Sequence, residues 1–407
     1  MTRTLGTLND PLGSESPIDV TIKPNPDPAV NPFYSSYDYM GGGPVLKVPE
    51  GMPGAGKLLM VYHAEIPTIA TQSFYSVFAL ASSSDGGLSW TDLGEIVRTN
   101  QAYRTDMDGY DIGDANLVGS LLRKHEFDSV VHFAAESHVD RSLVGPEDFL
   151  NTNVHGTFTL LEASRAWLAK LDKASRARFR FLHVSTDEVF GSLKPGDAPF
   201  EETFPFKPNS PYAASKAASD LLVRAWVKSY RFPAIVTNCS NNYGPLQFPE
   251  KLLPLILDRA LHGQPLPIYG DGLQIRDWLY VGDHAAALRV ALERGKIGET
   301  YNIGGWNEQS NLDTVRLLCA LLDEFLPDSP HRPHAQLMQF VTDRPGHDRR
   351  YAINATKAER ELGWLPQETF ATGLRKTVRW YLDNQPWVQE VTSGAYRQWI
   401  DTNYGAR

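Results

Sequence analysis

RFRFLHVSTDEVF (178–190), SPYAASKAASDLLVRAWVKSY (210–230) and AIVTNCSNNYG (234–244) decide the fold. The first is an apolar run rich in β-branched and aromatic residues that ends in polar ones, which reads as a strand leaving a sheet. The second has helical spacing over its whole length, and the third is another strand. Working outward, SVVHFAAES (129–137) reads as a buried strand running into a loop. ANLVGSLLRKH (115–125) and EDFLNTNVHGTFTLLEASRAWLAKL (147–171) read as helices, the second one long. Strand and helix alternate, which predicts an α/β, Rossmann-like parallel sheet with helices on both faces. Beyond Phe248 the alternation loosens. KLLPLILDRALHG (251–263) and NLDTVRLLCALLDEF (311–325) read as helices, with LPIYG (266–270) and ETYNIGG (299–305) as short strands. A smaller C-terminal substrate lobe that interleaves with the last sheet strands is expected there.

Before this region the texture differs. Residues 1–56 are rich in Pro, Gly, Asn and Asp and read as extended loop. KLLMVYHAE (57–65), SFYSVFALASS (73–83) and DLGEIVRT (92–99) read as strands, with no amphipathic helix before about residue 115. The expected organisation is a loop-rich segment (1–56), a β-rich segment (57–110), a Rossmann-like domain (111–245) and a substrate lobe (246–407).

With 407 residues, 42% of them hydrophobic and 21% charged, the chain has an ordinary globular composition. The net charge of -9 repels polyphosphate at long range and argues against nucleic acid as a partner. The first twenty residues hold no apolar core of a secretory signal, and no run of 18 apolar residues marks a membrane span. Two distant cysteines, Cys239 and Cys319, fit a reducing cytoplasm better than a disulfide scaffold. No His, Cys or carboxylate spacing suggests a metal site.

The chemistry centres on Tyr212 and Lys216. Positions i and i+4 share a helix face, and an ammonium beside a phenol lowers its pKa and makes it a usable base. A Tyr-x-x-x-Lys spacing is common by itself. Here it follows a strand ending in Ser185, Thr186, Asp187 and Glu188, and strand C-termini are where open α/β sheets bind ligands.

STDEVFG (185–191), SPYAASK (210–216), NCSNNYGPLQFPEKLLP (238–254), YGDGLQIRDWLYVGDH (269–284), YNIGGWNE (301–308) and DRPGHDRRYAI (343–353), with AAESHVDRS (134–142), closely resemble the dTDP-glucose 4,6-dehydratases, which belong to the extended short-chain dehydrogenases. The similarity runs in family order from about Asp111 to Arg407. The Thr-Asp-Glu triplet separates these dehydratases from sugar epimerases that share the Tyr and Lys.

The resemblance implies NAD as cofactor and dTDP-glucose as substrate. Tyr212 would take the proton of the sugar C4 hydroxyl, with Thr186 bonded near that oxygen and Lys216 on the nicotinamide ribose. Glu188 would remove the C5 proton, and protonated Asp187 would donate to the leaving C6 hydroxyl, so that NAD is recycled and a 4-keto-6-deoxy sugar forms. One carboxyl protonated beside one ionised requires pKa values pushed apart. Further cofactor contacts are implied for Asp111 and Ile112, for Phe133, Ala134, Ala135, Glu136 and Ser137, and for Thr152 and Asn242. Substrate contacts are implied for Ser137, Asn241, Lys251 and Leu252, for Pro267, Tyr269 and Arg276, and for Asn311, Arg344 and His347. Plainer readings exist for several of these. Arg276 could pair with Asp277, Asn241 and Asn242 could form a turn, and Phe133 and Ala134 could be core. His138 reads as a structural histidine.

One part of the family pattern is missing. The dinucleotide turn needs a strand, Gly-x-x-Gly-x-x-Gly and a helix, so that the pyrophosphate meets the helix N-terminus. Neither GMPGAGK (51–57) nor YMGGGPVLK (39–47) has that context. SSDGGLSW (83–90) instead fits the Asp-box of sialidase-like propellers, so 57–110 resembles a propeller fragment, too small for a propeller of at least about four blades. A fusion that replaced the first β-α-β unit, with its junction near DGYDIGDANLV (108–118), accounts for both observations and implies weakened NAD binding. The rival readings are an NAD-dependent epimerase or decarboxylase, an inactive fusion protein, and a propeller glycosidase. Helices 148–170 and 212–229 match those that pair family members as homodimers.

Overall fold

A computed structural model describes residues 112–392 and, before them, the backbones of eight strands between Thr2 and Arg98. The chain forms two compact units: residues 1–127 with 155–170, and residues 128–154 with 171–407.

In the first unit, three ten-residue strands, β1 (Leu58–Pro67), β2 (Phe74–Ser83) and β3 (Ser89–Arg98), form an antiparallel meander. Thr21–Lys23 pairs with β3, while Tyr39–Gly41 and Val45–Lys47 both pair with β1. The described residues of YMGGGPVLK therefore lie in two short strands of this sheet. Where the sequence reads as loop, through residue 56, five strands of two or three residues occur. They are too short for alternation to register. The centre of SSDGGLSW and Asp111 lie outside the described residues. Helices α1 (Ala115–His125) and α2 (Thr157–Leu168) belong to this unit, and Asp114 caps α1 by accepting from Asn116 and Leu117 amides.

The second unit holds a four-stranded parallel sheet. Its order is β7 (Thr300–Ile303), β6 (Ala234–Cys239), β5 (Arg180–Thr186) and β4 (Ser129–His132). Leu182 sits beside Val131 on one side and Ile235 on the other, and β5 and β6 are buried almost throughout. Strand β4 departs from the expected buried strand. It has one partner in the described sheet, and Val131 is 39% exposed, as befits an edge. Between β5 and β6 runs α3 (Pro211–Tyr230), started by the Ser210 hydroxyl accepting from Ala213 and by Pro211 in the first turn. The long helix expected over 147–171 is interrupted. Pro146–Phe149 is α-helical, Leu150–Gly156 is a π-helical turn, and α2 resumes at Thr157.

Past β6 the chain builds smaller sheets. Asn241–Tyr243 pairs with β8 (Ile275–Tyr280), which also pairs with Glu308–Ser310, and Leu266–Tyr269 pairs with Met338–Val341. Their core packs Leu253, Ile256 and Leu257 of α4 (Leu252–Leu261) with Leu318 and Leu322 of α5 (Asn311–Phe325) and Leu374 and Val378 of α6 (Phe370–Asp383). After β7 the chain passes so close to β8 that a Cβ on Gly305 would lie 1.9 Å from the Trp278 carbonyl oxygen. That oxygen is backbone and cannot swing away. Gly305→Ala is expected to lower unfolding free energy by about 1–3 kcal/mol in urea titration, as overpacking does.

Candidate active site

Strand β5 ends at Thr186, and a 3-10 turn, Asp187–Phe190, follows. The Thr186 hydroxyl caps that turn by accepting from the Glu188 amide at 3.3 Å and donates to Asp187 Oδ1 at 3.4 Å. The chain thus turns away from the sheet with both carboxyls at the strand's C-terminal end. Asp187 is 1% exposed, and its Oδ2 has no hydrogen-bond partner. Burial, then Glu188 and Asp277, push Asp187 well above the usual carboxylate range, with Arg276 opposing. Burial raises Glu188 as well, but less, because Arg344, Arg276 and Lys251 pull against it. One carboxyl is thus held toward the acid form, while its neighbour faces three cations that favour its anion.

Tyr212 and Lys216 are both buried on α3. Their electrostatics differ from the sequence expectation. Burial, then Glu188 and Cys239, push the Tyr212 phenol well up, while a hydrogen bond with Thr186 pulls down. Lys216 Nζ donates to the Val184 carbonyl at 2.9 Å. Desolvation of the phenolate therefore outweighs the ammonium, because that ammonium is turned to the strand backbone. The lysine's own pKa is lowered by burial, with Asp220 and Cys239 opposing.

The loop after β4 carries the next group. Phe133 is 57% exposed, so it is not core, while Ala134 is buried. The Glu136 backbone is clamped by Asn153, which accepts from the Glu136 amide at 2.8 Å and donates to its carbonyl at 3.0 Å and to Ser215 Oγ at 2.8 Å. Thr152 is buried beside it on the π-helical turn. Asn153 escaped the sequence reading, although it stands one residue from Thr152. Ile112 is buried in the first unit. His138 caps Val139–Val144 by accepting from the Arg141 amide, and burial lowers it to about 4, a structural role.

Of the residues expected on the substrate side, Lys251, Arg276 and Arg344 act electrostatically on Glu188. Lys251 Nζ donates to the Ser137 carbonyl at 2.9 Å. Arg276 does not pair with Asp277. It donates to the Ile275 and Asp348 carbonyls, and its guanidinium lies 4.3 Å from the Tyr351 ring centroid. Asp277 instead takes the Gly305 and Asn307 amides, which closes the Gly304–Asn307 turn. Arg344 binds Asp140 at 2.7 Å and Tyr269 reaches the other Asp140 oxygen at 3.5 Å. His347 Nδ1 donates to Asp343 at 2.6 Å, and burial, then Arg344, lower the imidazole to about 4, so it is neutral. Pro267 and Tyr269 share the strand Leu266–Tyr269, Leu252 opens α4 and Asn311 opens α5. Asn241 and Asn242 form a short strand, and each leaves its side-chain carbonyl oxygen without a hydrogen-bond partner. Asp140 and Tyr351, which orient Arg344 and Arg276, were not singled out from sequence, because their partners lie far along the chain. Among the described residues no cluster could hold a metal, and no helix is long and apolar enough to cross a membrane.

A family model described as GDP-mannose 4,6 dehydratase matches residues 73–377. The chain belongs to that family. Among relatives of this dehydratase family, the dTDP-glucose 4,6-dehydratase of Escherichia coli is 53% identical over 324 residues, covering 78% of this chain and 89% of that protein. The dTDP-glucose 4,6-dehydratase of Xanthomonas campestris pv. campestris is 57% identical over 288 residues, covering 70% and 82%. A Streptomyces venezuelae dTDP-glucose 4,6-dehydratase solved with NAD and TYD bound superposes with a TM-score of 0.61 at 43% identity, over 70% of this chain and 84% of that one. UDP-glucose 4-epimerase of Thermotoga maritima fits with a TM-score of 0.59 but only 27% identity, over 67% of this chain and 83% of that one. The epimerase reading is therefore the weaker. The family match begins at residue 73, well before 111, and takes in the Asp-box stretch. The propeller reading of 57–110 finds no support.

Proposed function

We propose that this dehydratase-family chain is a hydro-lyase that converts dTDP-glucose to its 4-keto-6-deoxy product. The observation that carries the reading is the pair of adjacent carboxyls at the end of β5, both raised by burial but Asp187 by more. Asp187 is driven toward its acid form by burial and a neighbouring anion, while Glu188 faces Arg276, Arg344 and Lys251. Elimination across C5 and C6 needs such a pair, one group to give a proton and one to take it.

In this reading Glu188 takes the C5 proton and Asp187 protonates the departing C6 hydroxyl. Tyr212 exchanges the proton of the C4 hydroxyl, aided by its hydrogen bond with Thr186. NAD, when bound, supplies the oxidant for C4 and the reductant for C6. Lys216, Tyr212, Thr152 and Asn242 would hold its nicotinamide ribose end, and the unpartnered Asn242 oxygen suits a ribose hydroxyl or carboxamide donor. The loop 133–137 would flank it. In the sequence, neither GMPGAGK (51–57) nor YMGGGPVLK (39–47) has the context that a pyrophosphate turn requires. Arg276, Arg344 and Lys251 would receive the substrate diphosphate, with Asn241, Asn311, Tyr269, Pro267, Leu252 and His347 around the sugar and base. Thymidine as the base rests on the relatives' names. Incubation with dTDP-glucose and added NAD tests the reading: a 4-keto-6-deoxy product supports it, and an epimerised sugar with no dehydration overturns it.

A homodimer belongs to the same proposal. Leu143, Val144, Leu150, Leu221 and Tyr230 are exposed, and Val144 is 80% so. Large apolar side chains at this density on helices suit a helix-packed interface. Sedimentation is expected to give twice the 45.4 kDa chain mass, and Leu221→Glu to shift it toward monomer.

A further inference from the structure

Behind the catalytic face of the second unit lies a buried polar seam that the dehydration does not use. His183 and Asn238 are fully buried, Ser219 likewise, and Asp220 is 4% exposed. Burying a carboxylate is costly unless its oxygens are bonded, and here both are. Asp220 Oδ1 takes the His183 Nε2–H at 3.1 Å, and Oδ2 takes the Asn238 amide at 3.0 Å. The His183 tautomer follows from its neighbours. The Ser219 hydroxyl donates to the Lys216 carbonyl at 2.8 Å, so at 3.3 Å it can only accept from Nε2, and Nδ1 is left without a partner.

Asn238 matters for what its amide nitrogen does next. The same Nδ2 donates to the Thr186 carbonyl at 3.1 Å. Thr186 is the last residue of β5, and Asp187 and Glu188 follow it directly. The Asn238 carbonyl oxygen has no partner, so apart from Thr186 itself Asp220 is the group that holds this side chain. Asp220 also stands four residues after Lys216 on α3, on the same face. Its charge opposes the loss of the lysine's proton that burial favours.

We propose that Asp220 is a positioning residue: through Asn238 it anchors the Thr186 carbonyl, and so sets where the end of β5 presents Asp187 and Glu188. The role rests on the dehydratase reading for its kinetic consequence, and on geometry alone for its structural one. A group that only stabilised the fold would lower the melting temperature and leave the folded enzyme's kcat intact. A positioning group lowers kcat in the folded enzyme, because displacement of the acid–base pair by about 1 Å costs about 10²-fold.

The test compares Asp220→Ala, Asp220→Asn and Asn238→Ala by steady-state kinetics with dTDP-glucose and added NAD, and by crystal structures of the same proteins. Asp220→Ala is expected to lose about 10²-fold in kcat, with KM within about threefold of the parent. Asp220→Asn, which can still accept from Asn238 and donate to the other His183 tautomer, is expected to recover to within about tenfold. The double variant with Asn238→Ala should be no worse than either single change, since both act through one chain of bonds. In the crystal the Thr186 carbonyl and the acid pair are expected to move while α3 stays in place. Full kcat in Asp220→Ala, additive losses in the double variant, or an unmoved strand end overturns the proposal. Where Asp220→Ala does not fold, Asp220→Asn and Asn238→Ala carry the same comparison. Absence of 4-keto product from the parent chain would defeat the dehydratase reading, and the crystallographic comparison would still decide the positioning role.

Discussion

Glu188→Gln is expected to lower turnover of dTDP-glucose by about 10²–10⁴-fold, the contribution a well-placed general base makes. The substitution keeps the side chain's size and removes its capacity to take a proton. The three cations that pull on Glu188 would then face a neutral amide, and Asp187 would lose the neighbouring anion that helps raise it. The acid would become a weaker match at the same time as the base disappears, so the loss should sit near the top of that range. Two readouts separate this from damage to binding. KM should change little, because Arg276 and Arg344 remain tied to Tyr351 and Asp140. Incorporation of solvent deuterium at sugar C5, expected of the parent reaction because C5 is reprotonated after reduction at C6, should vanish. A variant that still exchanges that proton would assign the base elsewhere.

The second large effect concerns the cofactor. Purified protein, denatured and assayed for released NAD, is expected to contain far less than one NAD per chain, and turnover to depend on added NAD. Among the described residues before 99, the three long strands form an antiparallel meander, not the strand, glycine turn and helix that cradle a pyrophosphate. Two or three charge-assisted hydrogen bonds, at about 1.5–3 kcal/mol each, correspond to affinity weakened by about 10²–10⁶-fold. In the proposed site Lys216, Tyr212 and Asn242 would still hold the nicotinamide end, so saturation should be attainable. Stoichiometric NAD in the purified protein would mean that other donors hold the pyrophosphate.

Much of this was legible in sequence because it is local. Strands β5 and β6 and helix α3 announce themselves by period, and the acid pair and Tyr212 follow at fixed offsets. Other features were hidden because they depend on what meets in space. The π-helical turn at Leu150–Gly156 inserts into an apolar pattern that tolerates it, so 147–171 reads as one helix. Tyr212 looked activated by Lys216, yet i+4 spacing fixes only a shared face, and Nζ has a backbone carbonyl within reach. Asp220, His183 and Asn238 come from a helix and two strands and show no motif together. The start of the family match at residue 73 was obscured because strand texture on both sides of the boundary is the same.

The grouping of Lys251, Arg276 and Arg344 about Glu188 also bears on how fast an anion arrives. The chain carries a net charge of -9, so a dianionic nucleotide sugar approaches against a repulsive field. That repulsion acts over many ångströms and is screened beyond about 8 Å at physiological ionic strength. Attraction to the buried Arg276 and the partly buried Arg344 acts at contact distance, where salt screens little. Added salt should therefore remove the barrier to encounter before it weakens the grip, so the association rate of a dianionic nucleotide sugar should rise with ionic strength while its dissociation rate changes little.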